Sequence, residues 1–198
     1  MRFSRSIRAK IPPLLAIVLF AALANPFFAQ RPTSNLPAQR SPIFGGAGGV
    51  PFVLSCGPRN VLTGLRARAD AFVFAIGITC RSVLDDGSLG PESVVGEMAG
   101  GTSGAPVAAG CATGRVLSAV DVHASTYVQS LVLYCRGWDS AHRRVAAGGT
   151  EAIRIGQPTV GVAQHRTRCE FDKQPMTGVW GRAQSLVDAI GFVCDEPR

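Results

Sequence analysis

Residues 64–80 read GLRARADAFVFAIGITC and residues 178–194 read GVWGRAQSLVDAIGFVC, and the two stretches are identical at eight of seventeen positions. In the second half of each stretch, large apolar residues alternate with small or polar ones, which is typical of a β-strand with one buried face. That face carries Ile76, Ile78 and Cys80 in the first stretch. A shorter strand precedes this strand in each stretch, so each stretch predicts a hairpin of two strands. Because the same hairpin occurs twice, the sequence indicates an internal repeat.

A further copy of this unit lies between the two. The landmarks of the first copy are a glycine-rich run at 45–49, Cys56 and Cys80, and each of them recurs 55 residues later. Three repeats result, at about 44–80, 99–135 and 147–194. None shows the periodicity of a helix, and none is able to bury its apolar face alone. The sequence therefore predicts one all-β domain at 44–195, in which three sheets close around a common axis as a prism.

The six cysteines are distributed as two per repeat, with separations of 24, 24 and 25 residues. Six cysteines allow fifteen different sets of pairs. On a chain-entropy model, a disulfide that closes a loop of this size stabilises a fold by roughly 3 kcal/mol. The simplest set closes one loop inside each repeat and joins Cys56 to Cys80, Cys111 to Cys135, and Cys169 to Cys194.

The N-terminus has the order of a secretory signal peptide. Four basic residues within 1–10 precede an apolar run at 11–24, and cleavage after Ala24 or after Ala29 both fit the pattern. The unbroken apolar run is shorter than the roughly 20 residues that span a bilayer, so we expect no stable membrane span after cleavage. The sequence thus predicts a signal peptide at 1–29, a flexible leader at 30–43, and a protein that is secreted or periplasmic.

Removal of the predicted signal peptide on export would lower the net charge of the chain. The formal charge is +7, and the first 30 residues hold four basic groups and no acidic one, which leaves 7 − 4 = +3 on the mature chain. A charge this small gives no reason to expect a nucleic-acid partner. In an oxidising compartment the cysteines favour disulfides over metal ligands, and neither a CxxC pair nor zinc-like histidine spacing occurs. The prediction is therefore a protein without metal or cofactor.

Several stretches resemble two known families. The run GVPFVL at 49–54, followed by VLTG at 61–64, is similar to the opening of the final repeat in jacalin-related lectins, and 178–191 resembles the strand on which those lectins end. The hairpins that each close with a cysteine are similar to those of the vitelline-membrane outer-layer proteins. Both resemblances imply the same fold, a β-prism I of three Greek-key sheets with a pseudo-threefold internal repeat.

The lectin resemblance also implies a binding site. In that family a sugar lies between a glycine-rich N-terminal loop and a Gly-x-x-x-Asp loop, whose carboxylate and backbone amides bind sugar hydroxyls. Only Asp188 matches this aspartate, because the other repeats have Phe74 and Gln129 at the aligned positions. Gln184 stands where the family has its glycine. The implied carbohydrate-binding residues are Gly45, Gly46, Gln184, Ser185, Leu186 and Asp188.

Two functions are compatible with this pattern. The first is a secreted, disulfide-bonded β-prism protein that binds carbohydrate or a glycoconjugate without catalysis. The alternative is a non-binding structural or protein-interaction module of the extracellular or envelope layer, which Gln184 in place of glycine favours. Neither a Ser-His-Asp order nor a zinc motif is present, so no enzyme is predicted. Arginines spread over all repeats are interpreted as solvated faces rather than as an anion-binding patch: Arg66, Arg68, Arg143, Arg144, Arg154, Arg166, Arg168 and Arg182.

Overall fold

The computed structural model of the protein describes residues 38–157, 160–169 and 173–197. The predicted signal peptide at 1–29 lies outside these residues. Within them the chain forms fourteen β-strands and no helix, which confirms the predicted all-β class. This described part accordingly contains no helix that is long and apolar enough to cross a membrane.

The strands alternate with short turns, many of which contain glycine. In chain order they are β1 (Gln39–Arg40), β2 (Phe44–Gly45), β3 (Val50–Ser55), β4 (Asn60–Ala69), β5 (Val73–Val83), β6 (Leu89–Gly100), β7 (Ala105–Gly110), β8 (Arg115–Ala124), β9 (Val128–Asp139), β10 (Arg144–Val145), β11 (Glu151–Gly156), β12 (Gln164–Arg168), β13 (Met176–Ala183) and β14 (Val187–Cys194).

Three antiparallel sheets result, and each is centred on the hairpin of one repeat: β4–β5 in the first sheet, β8–β9 in the second and β13–β14 in the third. The outer strands come from the next repeat along the chain, because β7 pairs with β4 and β12 pairs with β8. In the same way β3, from the first repeat, pairs with β13 in the last. The sheets are therefore offset from the sequence repeats, and the start of the domain closes onto its end.

The hairpins share one hydrophobic core. The alternating positions near each cysteine face this core as predicted, and Ile76, Ile78 and Phe192 are fully buried. Phe192 is the largest fully buried side chain among the described residues. Burying side chains of this size contributes about 2 kcal/mol each, so the alternation that defines the repeat also supplies much of the force that closes the prism.

The three predicted disulfides are confirmed, with Cα–Cα distances of 5.6–5.7 Å. Their place in the fold goes beyond the sequence prediction. Cys56 follows β3 in the third sheet, whereas its partner Cys80 lies in β5 of the first sheet. The second bond likewise joins the first sheet to the second, and the third bond joins the second sheet to the third. Bonds that are internal to a repeat therefore connect neighbouring sheets in a ring.

Two segments outside the repeated hairpins also enter the sheets. Residues 39–43 fall within the predicted leader, yet β1 pairs with β14, and Ser41 exchanges hydrogen bonds of 2.9 Å with the backbone of Phe192. The insert of the third repeat, at 150–168, supplies β11 and β12 as the outer strands of the second sheet. The sheets therefore also contain strands from the segment before the first repeated hairpin and from the insert of the third repeat.

Candidate functional site

Three hairpin tips meet at one end of the prism, named here the tip end. They join β4 to β5 at 70–72, β8 to β9 at 125–127, and β13 to β14 at 184–186. Each tip is closed by the same backbone hydrogen bond, from the N–H of its first residue to the carbonyl of its third, at 3.0, 3.1 and 2.9 Å respectively. The tips are therefore equivalent positions of the pseudo-threefold repeat.

A glycine-rich loop at 45–49 fills the space between two tips. A side chain on Gly45 would overlap the carbonyl of Asp188, and one on Gly46 would overlap the carbonyl of Thr126 in the neighbouring tip. Gly45 also has a φ of 131°, which L side chains rarely adopt. The backbone of this loop therefore lies directly on both neighbours, and only glycine allows it to do so.

The loop at 100–104 repeats the arrangement in the next repeat. A side chain on Gly100 would overlap the carbonyl of Phe74, and one on Gly101 would overlap the carbonyl of Ser185. The φ of Gly100, 121°, is close to that of its counterpart in the first loop. The glycine runs that mark the repeats in the sequence are thus the segments that seal the tip end.

The structure brings Asp188 together with the first glycine loop, as the lectin resemblance implies. The N–H of Gly46 donates a hydrogen bond of 2.9 Å to the backbone carbonyl of Asp188. The side chain of Asp188 lies under Gly48 and Gly49, where added side chains would overlap its two carboxylate oxygens, and the residue is 6% exposed. Within the described ranges no side chain donates to this carboxylate. A buried acceptor group at the tip end is therefore left with unused capacity.

Arg182 is a residue of this site that the sequence interpretation missed. Its guanidinium donates hydrogen bonds of 2.7 Å to the carbonyls of both Gly48 and Gly49, which clamps the glycine loop over the site. Arg68 occupies the aligned position in the first repeat and donates to the carbonyl of Ser103 at 3.0 Å. The interpretation of these two arginines as solvated faces is wrong, and their identity across repeats was the available signal.

The three repeats place different side chains beneath their glycine loops. Phe74 takes the position of Asp188 in the first sheet, and its ring lies against Gly104. Gln129 takes that position in the second sheet, where it is 7% exposed. The carboxylate of Asp188 is therefore unique among the three equivalent positions, and the first of them is filled by an apolar ring.

The remaining predicted residues form the tip itself. Gln184 and Ser185 are exposed, and Leu186 is half-buried. The backbone of Ser185 lies against Gly101 of the neighbouring glycine loop, so one side of the tip is covered. Of the six residues implied by the resemblance, Gly45 and Gly46 therefore contact the backbone of Asp188, whereas Gln184, Ser185 and Leu186 form the tip that precedes Asp188 in the chain.

Metal-ligating side chains do not cluster at this site. Among the residues that the structure describes, no group of three His, Cys, Asp or Glu residues could hold a metal ion. The site consists of backbone amides and carbonyls, the Arg182 guanidinium and the Asp188 carboxylate.

A second polar cluster lies on the outer face of the second sheet. Asp121, with a side chain that is 1% exposed, accepts two hydrogen bonds from the Arg166 guanidinium at 2.6 and 2.7 Å. It also accepts one from the Tyr134 hydroxyl at 2.8 Å and one from the Gln164 amide at 2.7 Å. The bonds from Arg166 are the main reason why the pKa of the Asp121 carboxyl lies below its usual range.

This cluster makes stability depend on pH. Because the pKa of Asp121 is lowered in the folded protein, its contribution is complete above the ordinary carboxyl pKa of about 4 and is lost as the pH falls toward the lowered value. Asp121→Asn removes the titrating carboxyl group, so we expect the variant to lose less unfolding free energy than wild type between neutral and acid pH. The difference should be about 1 kcal/mol, because the Arg166 side chain is 57% exposed and solvent screens the pair. Urea unfolding midpoints from neutral to acid pH measure this effect, and parallel curves for the two proteins would contradict it.

The fold is shared with lectins of known structure. No family model and no curated protein sequence matches the chain. The Malaysian banana lectin is 20% identical, with a TM-score of 0.56 over 81% of this chain and 99% of that one. AcmJRL of Ananas comosus is 19% identical, with a TM-score of 0.53 over 80% and 98%. Frutapin of Artocarpus incisa is 14% identical, with a TM-score of 0.57 over 80% and 97%. The chain therefore has the β-prism fold of the jacalin-related lectins.

Proposed function

We propose that the protein binds carbohydrate at the tip end, without catalysis, between the glycine loop at 45–49 and the tip at 184–186. The observation that carries this proposal is the Asp188 carboxylate, an acceptor beneath the glycine loop that no described side chain uses. An ionised carboxylate accepts strong hydrogen bonds from hydroxyl groups, and fixed backbone amides beside it orient a sugar ring.

The similar structures support the same ligand class. AcmJRL is described as a mannose binding jacalin-related lectin, and artocarpin is described in complex with mannopentose. Artocarpin is 13% identical to this chain, so the similarity supports the fold alone. The proposal for the binding site rests on the residues of this chain. Mannose and short mannose oligosaccharides are accordingly the first probes to use.

Secretion belongs to the same proposal. Each of the three disulfides closes a loop within one chain, and bonds of this kind persist in oxidising compartments. The predicted signal peptide at 1–29 provides the route of export, and the ligand would then be a glycan outside the cytoplasm.

Asp188→Asn tests the site. The substitution keeps the size of the side chain and removes the charge that strengthens hydrogen bonds from sugar hydroxyls, so we expect the affinity for mannose oligosaccharides to fall about tenfold or more. A glycan array followed by isothermal titration measures the change. Asp85→Asn is a matched control, because Asp85 has an exposed carboxylate in the turn at the opposite end of β5. Equal affinities for wild type and Asp188→Asn would contradict the assignment of the binding site to Asp188.

A specific observation favours the alternative of a structural or protein-interaction module. Asp188 is nearly buried, and the exposed Gln184 stands where the lectins have glycine. A tip end that is closed in this way would leave no room for a sugar. If the array shows no binding of any glycan while the protein co-purifies with a protein of the same compartment, this alternative replaces the proposed lectin function.

A further inference from the structure

A cavity of about 310 Å³ lies on the outer face of the second sheet, toward the end opposite the tips. Strands β8, β9, β11 and β12 all contribute to its wall. Three guanidinium groups line it, those of Arg136, Arg166 and Arg168, and no described carboxylate lines it directly. The cavity is therefore a concave surface rich in guanidinium groups, of which that of Arg166 is already paired with the Asp121 carboxylate.

Arg136 is the residue that distinguishes this surface. It follows Cys135 as Arg81 follows Cys80, so the two arginines occupy equivalent positions of the repeat. Arg81 is satisfied within the first sheet, because it donates to the carbonyl of Gly90 at 3.1 Å and lies 3.8 Å from the carboxylate of Glu92.

Arg136 lacks both partners. Thr150 lies beside Arg136 in the wall of the cavity, at the place where the strand next to Arg81 has Glu92. Arg136 is half-buried, and its guanidinium makes no ion pair or hydrogen bond with any described residue. A cation in this position holds donors that are directed at no protein group, and an anion would satisfy them.

Arg166 is held in place on the other side of the cavity. Its guanidinium carbon lies 4.6 Å from the centre of the Tyr134 ring, and its Nε and Nη2 atoms donate to Asp121. Its Nη1 donates to no residue that the structure describes, so two N–H groups remain available. Because Asp121 and Tyr134 fix the orientation of the group, little side-chain entropy is lost when those donors bind a ligand.

We propose that this cavity binds an anionic sugar, a hexose that carries a carboxylate, sulfate or phosphate group, with the oxyanion between Arg136 and Arg166. A volume of about 310 Å³ is at the lower end of the range for small-molecule sites, which suits one sugar unit and exceeds what an inorganic anion needs. Thr150 lines the same wall and offers a hydroxyl to a sugar, and the hydroxyl of Ser118, which donates to the carbonyl of Tyr134 at 2.9 Å, retains its capacity to accept. This site is separate from the tip end and does not depend on the function proposed there.

Isothermal titration with four probes tests the ligand class: glucuronate, glucose 6-sulfate, glucose 6-phosphate and uncharged glucose. Comparison of the three anionic probes shows whether the site prefers a carboxylate, a sulfate or a phosphate group. At least one of them should bind with an affinity that falls as ionic strength rises. Binding of glucose with equal affinity, or binding of none of the anionic probes, would overturn the proposal.

Two substitutions test the residues, and both are at positions that the sheet does not bury. Arg136→Gln removes the unpaired cation, and Thr150→Glu supplies the carboxylate that the first sheet has at Glu92. We expect each to weaken binding of the anionic probe about tenfold or more. Arg81→Gln is the matched control and should leave the affinity unchanged. If Thr150→Glu binds the anion as wild type does, or if Arg81→Gln loses as much affinity as Arg136→Gln, the cavity is not the binding site.

Discussion

Replacing Cys111 and Cys135 together by alanine is expected to lower the free energy of unfolding by roughly 3 kcal/mol, the chain-entropy value for a closed loop of this size. The bond has a sequence separation of 24 residues. Cys135 is fully buried and Cys111 is 7% exposed, so alanine also removes buried sulfur atoms from the shared core. The loss would be a large fraction of the stability of a typical domain.

The position of this bond in the fold adds a second consequence. It connects the end of β7, in the first sheet, to β9 in the second sheet. The N–H of Cys111 donates to the carbonyl of Thr63 in β4 at 2.8 Å, so the cysteine itself is anchored in the first sheet. Without the bond these two sheets are still joined by side-chain packing and by hydrogen bonds such as that from the Trp138 indole N–H to the carbonyl of Gly87 at 2.8 Å, but these contacts lie away from β7, and we expect hydrogen exchange to increase first along β7.

Urea unfolding of the oxidised double variant measures the loss. Because the double variant keeps the other two disulfides, its difference from wild type reports the loss of this one bond together with its two sulfur atoms. The first and third bonds have separations of 24 and 25 residues, so the corresponding double variants should lose similar amounts. A midpoint equal to that of wild type would show that the bond contributes nothing to the closed prism.

The hairpins and the disulfides were predictable from the sequence because their signals are local. Alternation of apolar residues identifies the buried face of a strand without reference to any other strand. Equal cysteine spacings favour equal loops, and the three observed bonds agree with that expectation. The exchange of outer strands between repeats was not predictable. A short strand such as β3 has the same pattern whether it joins its own hairpin or β13, and only closure of the whole ring decides between them.

The candidate site likewise has features that were predictable from the sequence and features that were not. Asp188 was identifiable because the lectin resemblance implies an aspartate at this position, where the other repeats have Phe74 and Gln129. Its burial was not, because it depends on how closely Gly48 and Gly49 lie over the side chain. The contrast between Arg136 and Arg81 is also invisible in the sequence, since both follow a cysteine in a strand. Only the structure shows that Arg81 lies opposite Glu92, whereas the register of β11 ends with Glu151 opposite Cys135 and Arg136 shares the cavity wall with Thr150.

Alanine at Gly45 and alanine at Gly100 are each expected to lower the free energy of unfolding by about 2 kcal/mol. At both positions the added methyl group would overlap a backbone carbonyl of the adjacent strand, that of Asp188 or that of Phe74. Both glycines also have a φ between 120° and 135°, where alanine is strained. The overlap involves backbone rather than the end of a flexible side chain, so the glycine loop must move away from the strand in each variant.

The two variants should nevertheless differ in function. Displacing the loop at 45–49 moves the backbone that lies over the Asp188 carboxylate, whereas the loop at 100–104 lies over the ring of Phe74 and reaches the candidate site only where Gly101 contacts the carbonyl of Ser185. On the proposed function, Gly45→Ala therefore weakens the binding of mannose oligosaccharides much more than Gly100→Ala does, although the two variants lose the same stability. Unfolding midpoints and titrations at a temperature where both variants are folded separate these effects. Equal loss of affinity in both would mean that binding depends on the whole tip end and not on the site at Asp188, and an unchanged midpoint for Gly45→Ala would contradict the close packing of the loop itself.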